Sequence, residues 1–285
     1  MRRGILVTGA TGNIGLYAAK WLQEKGRVVK AAVTRPERAK AIIGPGIEAV
    51  RFDFLNPETY RDALAGTDRI LLIRPPALNK PEQLYPFIDA ARSEGILHIV
   101  FVSLLGAERN PFPPHHRIEK YIRQSGIGYT FLRPSFFMQN LTGPHRMDIK
   151  EHSDILIPAG HAKVSFIDTR DIGEAAARIL IEPERHNGRS YSLTGPEALT
   201  YSDAAHIFSE VLGRRITYSN PSLSKFRKAM LSRGLPKGYV NVMAVLYLTT
   251  RFGMASRVTT ELEGLLGRPP VQLAQFAADY LEEWS

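Results

Sequence analysis

Residues 8–15, Thr-Gly-Ala-Thr-Gly-Asn-Ile-Gly, carry the clearest chemical signal in this sequence. Their glycines have G-x-x-G-x-x-G spacing, and the segment follows an apolar run and opens a helical pattern. The first glycine permits a tight turn, the second lets the backbone approach a pyrophosphate, and the third lets the helix pack closely. Amides at the start of the helix favour phosphate. The alternative is a glycine-rich turn without a ligand. The predicted dinucleotide contacts are Gly9, Thr11, Gly12, Asn13, Ile14 and Gly15.

The end of the second predicted strand indicates which dinucleotide would bind. NAD-selective sites usually carry an acidic residue about 20 residues after the glycine loop, where it binds the ribose diol. Here the strand ends in Val33-Thr34-Arg35, with an arginine and no carboxylate. A guanidinium can pair with the 2′-phosphate of NADP, so Arg35, with Arg38 nearby, predicts NADP(H) in preference to NAD(H). The alternative is a solvated arginine at a strand end.

Two further strand ends supply candidate contacts to the cofactor. Asp53 is placed to accept a hydrogen bond from an adenine amino group, with Phe54 beside it, although an acid at a helix start before Asn56-Pro57 explains it equally well. Ser103 ends another predicted strand, and ligands of open α/β sheets bind at such ends. No G-x-S-x-G sequence surrounds Ser103, which argues against serine hydrolysis. We therefore expect Ser103 at the nicotinamide end of the cofactor.

Groups that could transfer a proton or bind a substrate are less clearly marked. No tyrosine is followed by a lysine four residues later, so the Tyr-x-x-x-Lys pair of ordinary short-chain dehydrogenases is absent. His116 and Glu119 lie one helical turn apart, but a metal site usually needs three or four ligands and no second motif supplies them. Aromatic residues after the sixth predicted strand could stack on a flat substrate or on nicotinamide, or simply pack against a second lobe. The predicted substrate contacts are Phe136, Phe137, Met138 and Asn140.

The elements that must position these residues alternate regularly in the first half of the chain. The predicted strands there are 4–8, 28–33, 48–52, 69–73, 96–103 and 129–132, and the predicted helices are 16–25, 36–43, 58–64, 82–94 and 116–124. Strands separated by helices predict a parallel sheet covered on both faces. The later predicted strands are 164–167 and 190–193. The later predicted helices are 171–181, one from a Thr200–Asp203 capping box to Gly213, 221–230, 239–252 and 271–284.

These elements predict an α/β fold: a Rossmann-type doubly wound parallel sheet with a smaller, mainly helical C-terminal lobe. Residues 1–150 are the predicted NAD(P)-binding domain, to which 162–190 return. Residues 191–285, together with about 135–161, are the predicted substrate-binding lobe. The 239–252 helix is apolar on much of its surface, which fits either a lid or a subunit contact.

Composition excludes several classes of protein. The chain has 285 residues, 44% of them hydrophobic and 23% charged, which is ordinary globular composition. It has no cysteine, which excludes disulfides, thiolate nucleophiles and iron–sulfur clusters. Its formal net charge is +9, but the basic residues are spread along the chain and do not form one dense cluster. No apolar run approaches the ~20 residues of a membrane helix. We expect a cytoplasmic monomer or homodimer that binds a small molecule and neither nucleic acid nor membrane.

The sequence resembles the NmrA-like family of atypical short-chain dehydrogenases over most of its length. The resemblance rests on the glycine loop, on Asp53, on Ser103 followed by residues 126–134, and on residues 164–172. It implies an NAD(P)H-dependent reductase, because the family includes quinone, triphenylmethane, isoflavone-type and alkaloid imine reductases. The family also includes redox sensors that bind a dinucleotide without catalysis. The segment Arg74-Pro75-Pro76 resembles the small reductases and adds Arg74 and Pro75 as cofactor contacts.

The resemblance also supplies a catalytic candidate. Isoflavone-type reductases carry a lysine on the helix before the Gly-Ile-x-Tyr-Thr strand, and the matching position here is His115, eleven residues before Gly126. Imidazole has an ordinary pKa of ~6.5, near working pH. We therefore predict hydride transfer to a quinone, imine or enone, with His115 supplying or positioning the proton. The alternatives are a solvated histidine at a helix start and a non-catalytic NADP(H) sensor that acts through a protein partner.

Overall fold

The computed structural model describes residues 4–285. The strands are β1 (Gly4–Thr8), β2 (Val29–Val33), β3 (Glu48–Arg51), β4 (Thr67–Ile73), β5 (His98–Val102), β6 (Gly128–Pro134), β7 (Phe136–Phe137), β8 (Asp154–Ile155), β9 (Phe166–Ile167), β10 (Arg189–Leu193) and β11 (Thr217–Tyr218). The helices are α1 (Gly15–Glu24), α2 (Pro36–Ile43), α3 (Tyr60–Leu64), α4 (Tyr85–Ser93), α5 (Pro114–Ser125), α6 (Gln139–Thr142), α7 (Arg146–His152), α8 (Thr169–Ile181), α9 (Tyr201–Leu212), α10 (Leu223–Ser232), α11 (Lys237–Arg251), α12 (Glu261–Leu266), α13 (Leu273–Asp279) and α14 (Leu281–Trp284).

The chain divides into two compact units. The first comprises residues 4–134, 169–193 and 261–268, and the second comprises residues 135–168, 194–260 and 269–285. Residues 162–168, predicted to return to the first domain, lie in the second unit, whereas residues 261–268, predicted for the smaller lobe, lie in the first unit. The reason for the latter is that α12 packs on α8 and β10, where Glu261 Oε2 accepts a 2.7 Å hydrogen bond from Ser192 N.

The first unit is built on a seven-stranded parallel sheet with the strand order β10-β6-β5-β4-β1-β2-β3. Every residue of β1 and β5 is buried, as apolar strands covered on both faces should be. The strand order changes direction between β1 and β4, which is where open α/β sheets bind their ligands. The predicted Rossmann-type doubly wound sheet is confirmed.

Helix α1 packs against α8 within the first unit through a close backbone approach. A Cβ built on Gly173 of α8 would lie 3.0 Å from Ala18 N and 3.0 Å from Ile14 O, so only glycine lets the two helices come this near. The contact holds the start of α1, and with it the glycine loop, at a fixed position. The sequence predicts the helix that contains Gly173, but it does not predict this role of the glycine.

The second unit is mainly helical around its own apolar core. Its strands form two short parallel pairs, β7 with β9 and β8 with β11. The predicted capping box is confirmed, because Thr200 Oγ1 accepts from Asp203 N and Asp203 Oδ2 accepts from Thr200 N. The predicted terminal helix 271–284 is wrong as one element: it is broken at Tyr280 into α13 and α14. Helices α6 and α7 lay in a region that the periodicity left unassigned.

Within residues 4–285, no helix is both long enough and apolar enough to cross a membrane.

Candidate functional site

The glycine loop between β1 and α1 is shaped by close approaches of its own backbone. Gly9 has a φ of +60°, and its carbonyl accepts a 2.9 Å hydrogen bond from Gly12 N. A Cβ on Gly15 would lie 2.3 Å from Gly9 O, and one on Gly12 would lie 3.3 Å from the same oxygen. The third glycine is therefore required by the folded loop itself as well as by the packing of the helix.

The tip of this loop presents backbone to solvent at the start of a helix. Thr11, Gly12 and Asn13 are exposed, whereas Ile14 is buried and contributes its backbone only. No side chain of the described residues caps the start of α1. The first amides of a helix have no partner within the helix, so an uncapped start offers them to an anion. The loop fits the pyrophosphate of a dinucleotide.

The ends of β1 and β4 are tied together beside the loop. Thr8 Oγ1 accepts a 2.7 Å hydrogen bond from Ile73 N and lies 3.1 Å from Ile73 O. A Cβ on Gly9 would lie 3.3 Å from the Ile73 side chain, so the loop after β1 passes directly over the end of β4. Arg74 and Pro75, predicted as cofactor contacts, follow at once.

Arg74 is bound to its own loop. Its Nη1 donates to Leu78 O at 2.6 Å and to Pro75 O at 3.1 Å. Burial lowers the pKa of the guanidinium from its ordinary value, and the buried Nε has no hydrogen-bond partner among residues 4–285. Arg74 thus shapes the loop after β4, and its Nε is the atom that retains an unused donor.

Three predicted adenosine-end residues lie at the carboxyl ends of β2 and β3. Arg35 is exposed immediately before α2, at the end of β2. Asp53 is also exposed, and its Oδ1 accepts a 2.9 Å hydrogen bond from Leu55 N. Phe54 is different: its ring is buried and packs edge-on against Phe87, with ring centroids 5.4 Å apart. The Phe54 side chain is part of the core, so only its backbone remains available to a ligand.

Ser103, at the end of β5, is held by a buried carboxylate that the sequence analysis did not assign to the site. Ser103 Oγ donates a 2.6 Å hydrogen bond to Glu119 Oε1. Arg133 donates two hydrogen bonds to the same carboxylate, from Nε to Oε1 at 3.0 Å and from Nη2 to Oε2 at 2.7 Å. Arg123 Nη2 adds a contact to Oε2 at 3.1 Å. Because Glu119 is only 1% exposed, this cluster is an internal brace between β5, α5 and β6.

The charge state of the brace follows from its partners. Burial alone would raise the pKa of the Glu119 carboxyl, but hydrogen bonds from Arg133 and Ser103 and the charges of Arg133 and Arg123 outweigh it, so the pKa lies below its ordinary value. Burial likewise tends to lower the pKa of Arg133, whereas the contacts with Glu119 raise it overall. Both groups are charged at neutral pH, and Ser103 is fixed as a donor toward the carboxylate.

His115 occupies the first turn of α5, above Phe101 of β5. The two rings are stacked, with centroids 6.0 Å apart and an interplanar angle of 29°. Burial and the positive charge of Arg74 lower the pKa of His115 to about 4, against a smaller opposite effect of Glu119. The pKa of His115 thus lies below the ordinary value of imidazole, and a role of this residue in the reaction stays a prediction. At neutral pH it is uncharged, so it can orient a ligand through a hydrogen bond but is not an imidazolium acid.

The neighbouring pair His116 and Glu119 is divided between different partners. His116 Nδ1 lies 2.7 Å from Ala107 O, and the Glu119 oxygens are occupied by the brace. Among the residues that the structure describes, no group of three His, Asp or Glu side chains has the arrangement of a metal site.

The predicted substrate contacts lie at the start of the second unit. Phe136 and Phe137 form β7 and are half-buried, and Asn140 on α6 is also half-buried. The Phe136 ring centroid lies 6.2 Å from that of Tyr247. Met138 is 1% exposed and belongs to the apolar core of this unit, so its side chain is a packing residue. A substrate role for Phe136, Phe137 and Asn140 stays a prediction.

The second unit also contains a buried polar chain that the sequence analysis missed. His145 Nε2 lies 2.6 Å from Tyr247 Oη, and its Nδ1 lies 3.7 Å from Asp148 Oδ2. Asp148 in turn forms a bidentate pair with Arg233. Asp148 lies on α7 and Tyr247 on α11, whereas His145 directly precedes α7 and Arg233 directly follows α10. Their spacing along the chain does not predict the contact.

Comparison with known proteins identifies the wider group to which these features belong. A family model described as the NmrA-like family matches residues 1–261. An NAD(P)H azoreductase from Xenophilus azovorans is 31% identical over 279 residues, which cover 96% of each chain.

Solved structures match over nearly the full length. An NADPH-dependent quinone oxidoreductase from Escherichia coli in complex with NADPH is 30% identical with a TM-score of 0.87, covering 97% of this chain and 99% of the other. A Citrobacter sp. triphenylmethane reductase in complex with NADP(H) is 28% identical with a TM-score of 0.87, at the same two coverages.

Proposed function

Because the chain belongs to the NmrA-like family, we propose that it is an NADP(H)-dependent reductase that transfers a hydride to a small conjugated acceptor such as a quinone, imine or enone. The observation that carries the proposal is the glycine loop at the switch point of the parallel sheet. Its exposed tip, its uncapped helix start and the close approach of its backbone to itself at Gly15 fit a loop that binds a dinucleotide pyrophosphate.

Cofactor selectivity is assigned to the end of β2. Arg35 is exposed there, where an NAD-selective site usually carries a carboxylate. Its guanidinium would bind the 2′-phosphate of NADP(H) through charge-assisted hydrogen bonds, which a ribose diol cannot match. Asp53, at the end of β3, would accept a hydrogen bond from the adenine amino group through the oxygen that does not bind Leu55 N.

On the other side of the switch point, at the carboxyl end of β5, the chain would position the nicotinamide ring and the acceptor. The cofactor, when bound, supplies the hydride from its nicotinamide ring. Ser103 is proposed to mark the nicotinamide end, held by Glu119 at 2.6 Å so that its hydroxyl does not reorient. His115 would orient the ligand as a neutral imidazole. Because its pKa is about 4, the proton that completes the reduction comes from solvent or from another group.

The relatives support a reductase and indicate the kind of acceptor. Azo compounds, quinones and triphenylmethane dyes, which the names of the three relatives specify, are all conjugated. Such acceptors take a hydride directly and need little from the protein beyond binding and orientation. This agrees with a site that lacks the Tyr-x-x-x-Lys pair.

Titration of the purified protein with NADPH and separately with NADH tests the proposal. A ligand that binds only the native state raises the unfolding temperature with concentration. We expect stabilisation by NADPH at lower concentrations than by NADH. Stabilisation by neither cofactor would contradict the proposal. Tight NADPH binding without reduction of any quinone, azo or imine acceptor would instead favour the non-catalytic sensor.

A further inference from the structure

Residues 211–260 of the second unit contain no aspartate or glutamate, although they contain nine lysines and arginines. The other 28 basic residues of the chain equal its 28 acidic residues in number, so this one segment carries the whole formal net charge of +9. The basic residues themselves are spread along the sequence, as the sequence analysis noted. It is the absence of acids over 50 residues that concentrates the charge.

Helix α11 lies within this segment and exposes an apolar surface. One side of the helix, including Val240, Met243 and Tyr247, is buried in the core of the second unit. The opposite side, which we call the α11 outer face, is open to solvent. It consists of Tyr239 (42% exposed), Val242 (57%), Val245 (61%), Leu246 (37%) and Leu248 (41%). Three apolar residues that follow the helix in sequence, Phe252, Met254 and Val258, are also exposed.

The charges around the α11 outer face have a definite arrangement. No charged residue occurs between Lys237 at the start of α11 and Arg251 at its end. Helix α10, which packs on α11, adds Lys225 and Lys228, both exposed. Of the nine basic residues, Arg233 is engaged internally with Asp148, and Arg214 donates to Ile149 O and Trp284 O. Lys225 and Lys228 on α10 and Lys237 at the start of α11, which we call the flanking lysines, are exposed.

We propose that the α11 outer face and its flanking lysines dock on the surface of an anionic lipid bilayer. A helix with one aliphatic side and basic residues at its margins lies in the plane of the membrane interface, where its side chains enter the acyl boundary and the cations meet lipid phosphates. Lysine is suited to such margins, because its stem lies along apolar surface while its ammonium group stays in water. With 15 residues, α11 is ~22 Å long and too short to span a bilayer.

Charge favours this occupant over a second copy of the chain. A two-fold dimer through the α11 outer face would place the same acid-free, basic segment against itself, and like charges facing each other oppose association. A bilayer rich in anionic lipid offers the opposite sign and needs no matching groove. The earlier expectation of no membrane partner rested on the absence of a spanning segment, and it does not bear on docking at the interface.

Sedimentation with lipid vesicles tests the proposal. The full chain is mixed with vesicles of phosphatidylcholine alone or of phosphatidylcholine with phosphatidylglycerol, at low and at high salt. We expect sedimentation with the anionic vesicles only, and less of it as salt rises. The double variant Val242→Glu/Val245→Glu should lose this binding. Lys225→Gln/Lys228→Gln should weaken it about fivefold for each lysine removed.

A matched control separates the surface from net charge. Val28→Glu/Leu97→Glu makes the same charge change at apolar residues of the first unit that are 56% and 62% exposed, and it should bind anionic vesicles like the wild type. Light scattering after size exclusion follows the oligomeric state of each variant. Three results would each overturn the proposal: no wild-type binding to anionic vesicles, equal loss in both double variants, or a wild-type dimer that Val242→Glu/Val245→Glu converts to a monomer.

Discussion

Ser103 Oγ and Glu119 Oε1 lie 2.6 Å apart and join the end of β5 to the middle of α5. The same carboxylate is held by Arg133 on β6, so one buried acid fixes three neighbouring elements of the first unit. His115 stands one turn before Glu119 on α5. The position of the candidate nicotinamide-end serine and that of the candidate orienting histidine therefore depend on a residue that is itself buried.

Replacement of Glu119 by alanine is expected to destabilise the protein strongly. The change removes a buried carboxylate and leaves Arg133 enclosed, with its 3.2 Å contact to Glu108 in place. Breaking a buried ion pair by removing one partner costs about 3–5 kcal/mol. Because Glu108 retains part of the compensation, we expect a loss near the lower end, about 3 kcal/mol. Urea unfolding measured by circular dichroism gives the free energy of unfolding.

The matched control for this variant is Glu82→Ala. Glu82 also pairs with an arginine, Arg117, at 3.0 Å, but both side chains are more than half exposed. Exposed ion pairs contribute about 0–1 kcal/mol, so this variant should unfold like the wild type. If both variants lose the same free energy of unfolding, the burial of the Glu119 cluster does not add to the stability of the protein.

His115 is expected to titrate far below the usual range of histidine. Its pKa is about 4 in the native protein, whereas the unfolded chain has the ordinary value of ~6.5. Between these values the unfolded state binds the extra proton, so this group makes the native state less stable as pH falls from about 6.5 toward 4. NMR of the imidazole signals, assigned by comparison with His115→Gln, should give a midpoint near pH 4.

The same value constrains the pH dependence of turnover. If His115 acts as a neutral imidazole, the wild type and His115→Gln should show the same profile of kcat/KM between about pH 6 and 8, whatever their absolute rates. A change in kcat/KM with a midpoint near pH 6.5 that occurs in the wild type and not in His115→Gln would contradict the neutral role. It would show that the protonated imidazole of His115 acts as the acid.

Gly15→Ala is expected to damage the cofactor loop. The new Cβ would lie 2.3 Å from Gly9 O, so the loop backbone has to move. Overpacking of this kind costs about 1–3 kcal/mol, and it should weaken NADPH binding by more than tenfold because the displaced amides no longer meet the pyrophosphate. Gly264→Ala on α12 is the control, since a Cβ there meets nothing within 4 Å. Thermal shift with and without NADPH measures both effects, and unchanged affinity in Gly15→Ala would refute the assigned loop role.

Arg35→Ala is expected to remove selectivity for the phosphorylated cofactor. Hydrogen bonds to charged groups contribute about 1.5–3 kcal/mol, so NADPH affinity should fall about ten- to hundredfold while NADH affinity stays near its wild-type value. Arg92→Ala makes the same charge change at an exposed position on α4 and should leave both affinities unchanged. A uniform loss for both cofactors would mean that Arg35 does not distinguish them.

Local signals explain what the sequence could predict. The glycine spacing before α1 and the alternation of apolar strands with helices are short-range patterns, and they give the sheet and the loop correctly. Gly126, with a φ of +81°, ends α5 as a glycine after a helix should. These features depend on neighbours a few residues apart, where type and spacing suffice.

The parts that the sequence could not predict depend on distant partners. The position of Glu119 on a helix does not by itself indicate burial, because its partner Arg133 lies on β6. The low pKa of His115 needs Arg74, which belongs to another loop. Phe54 follows a strand end, where residues that contact a ligand are expected, but its ring packs in the core against Phe87. The short helix α7 contains Asp148, which pairs with Arg233 directly after α10, and short helices depend on such tertiary contacts.

Acceptor-dependent oxidation of NADPH by the wild-type protein addresses whether it is a reductase at all. The reaction is followed with a naphthoquinone, an azo dye and a triphenylmethane dye, and each is repeated with NADH. We expect turnover of at least one acceptor, with a higher kcat/KM for NADPH than for NADH. NADPH binding with no oxidation in the presence of any acceptor would contradict it.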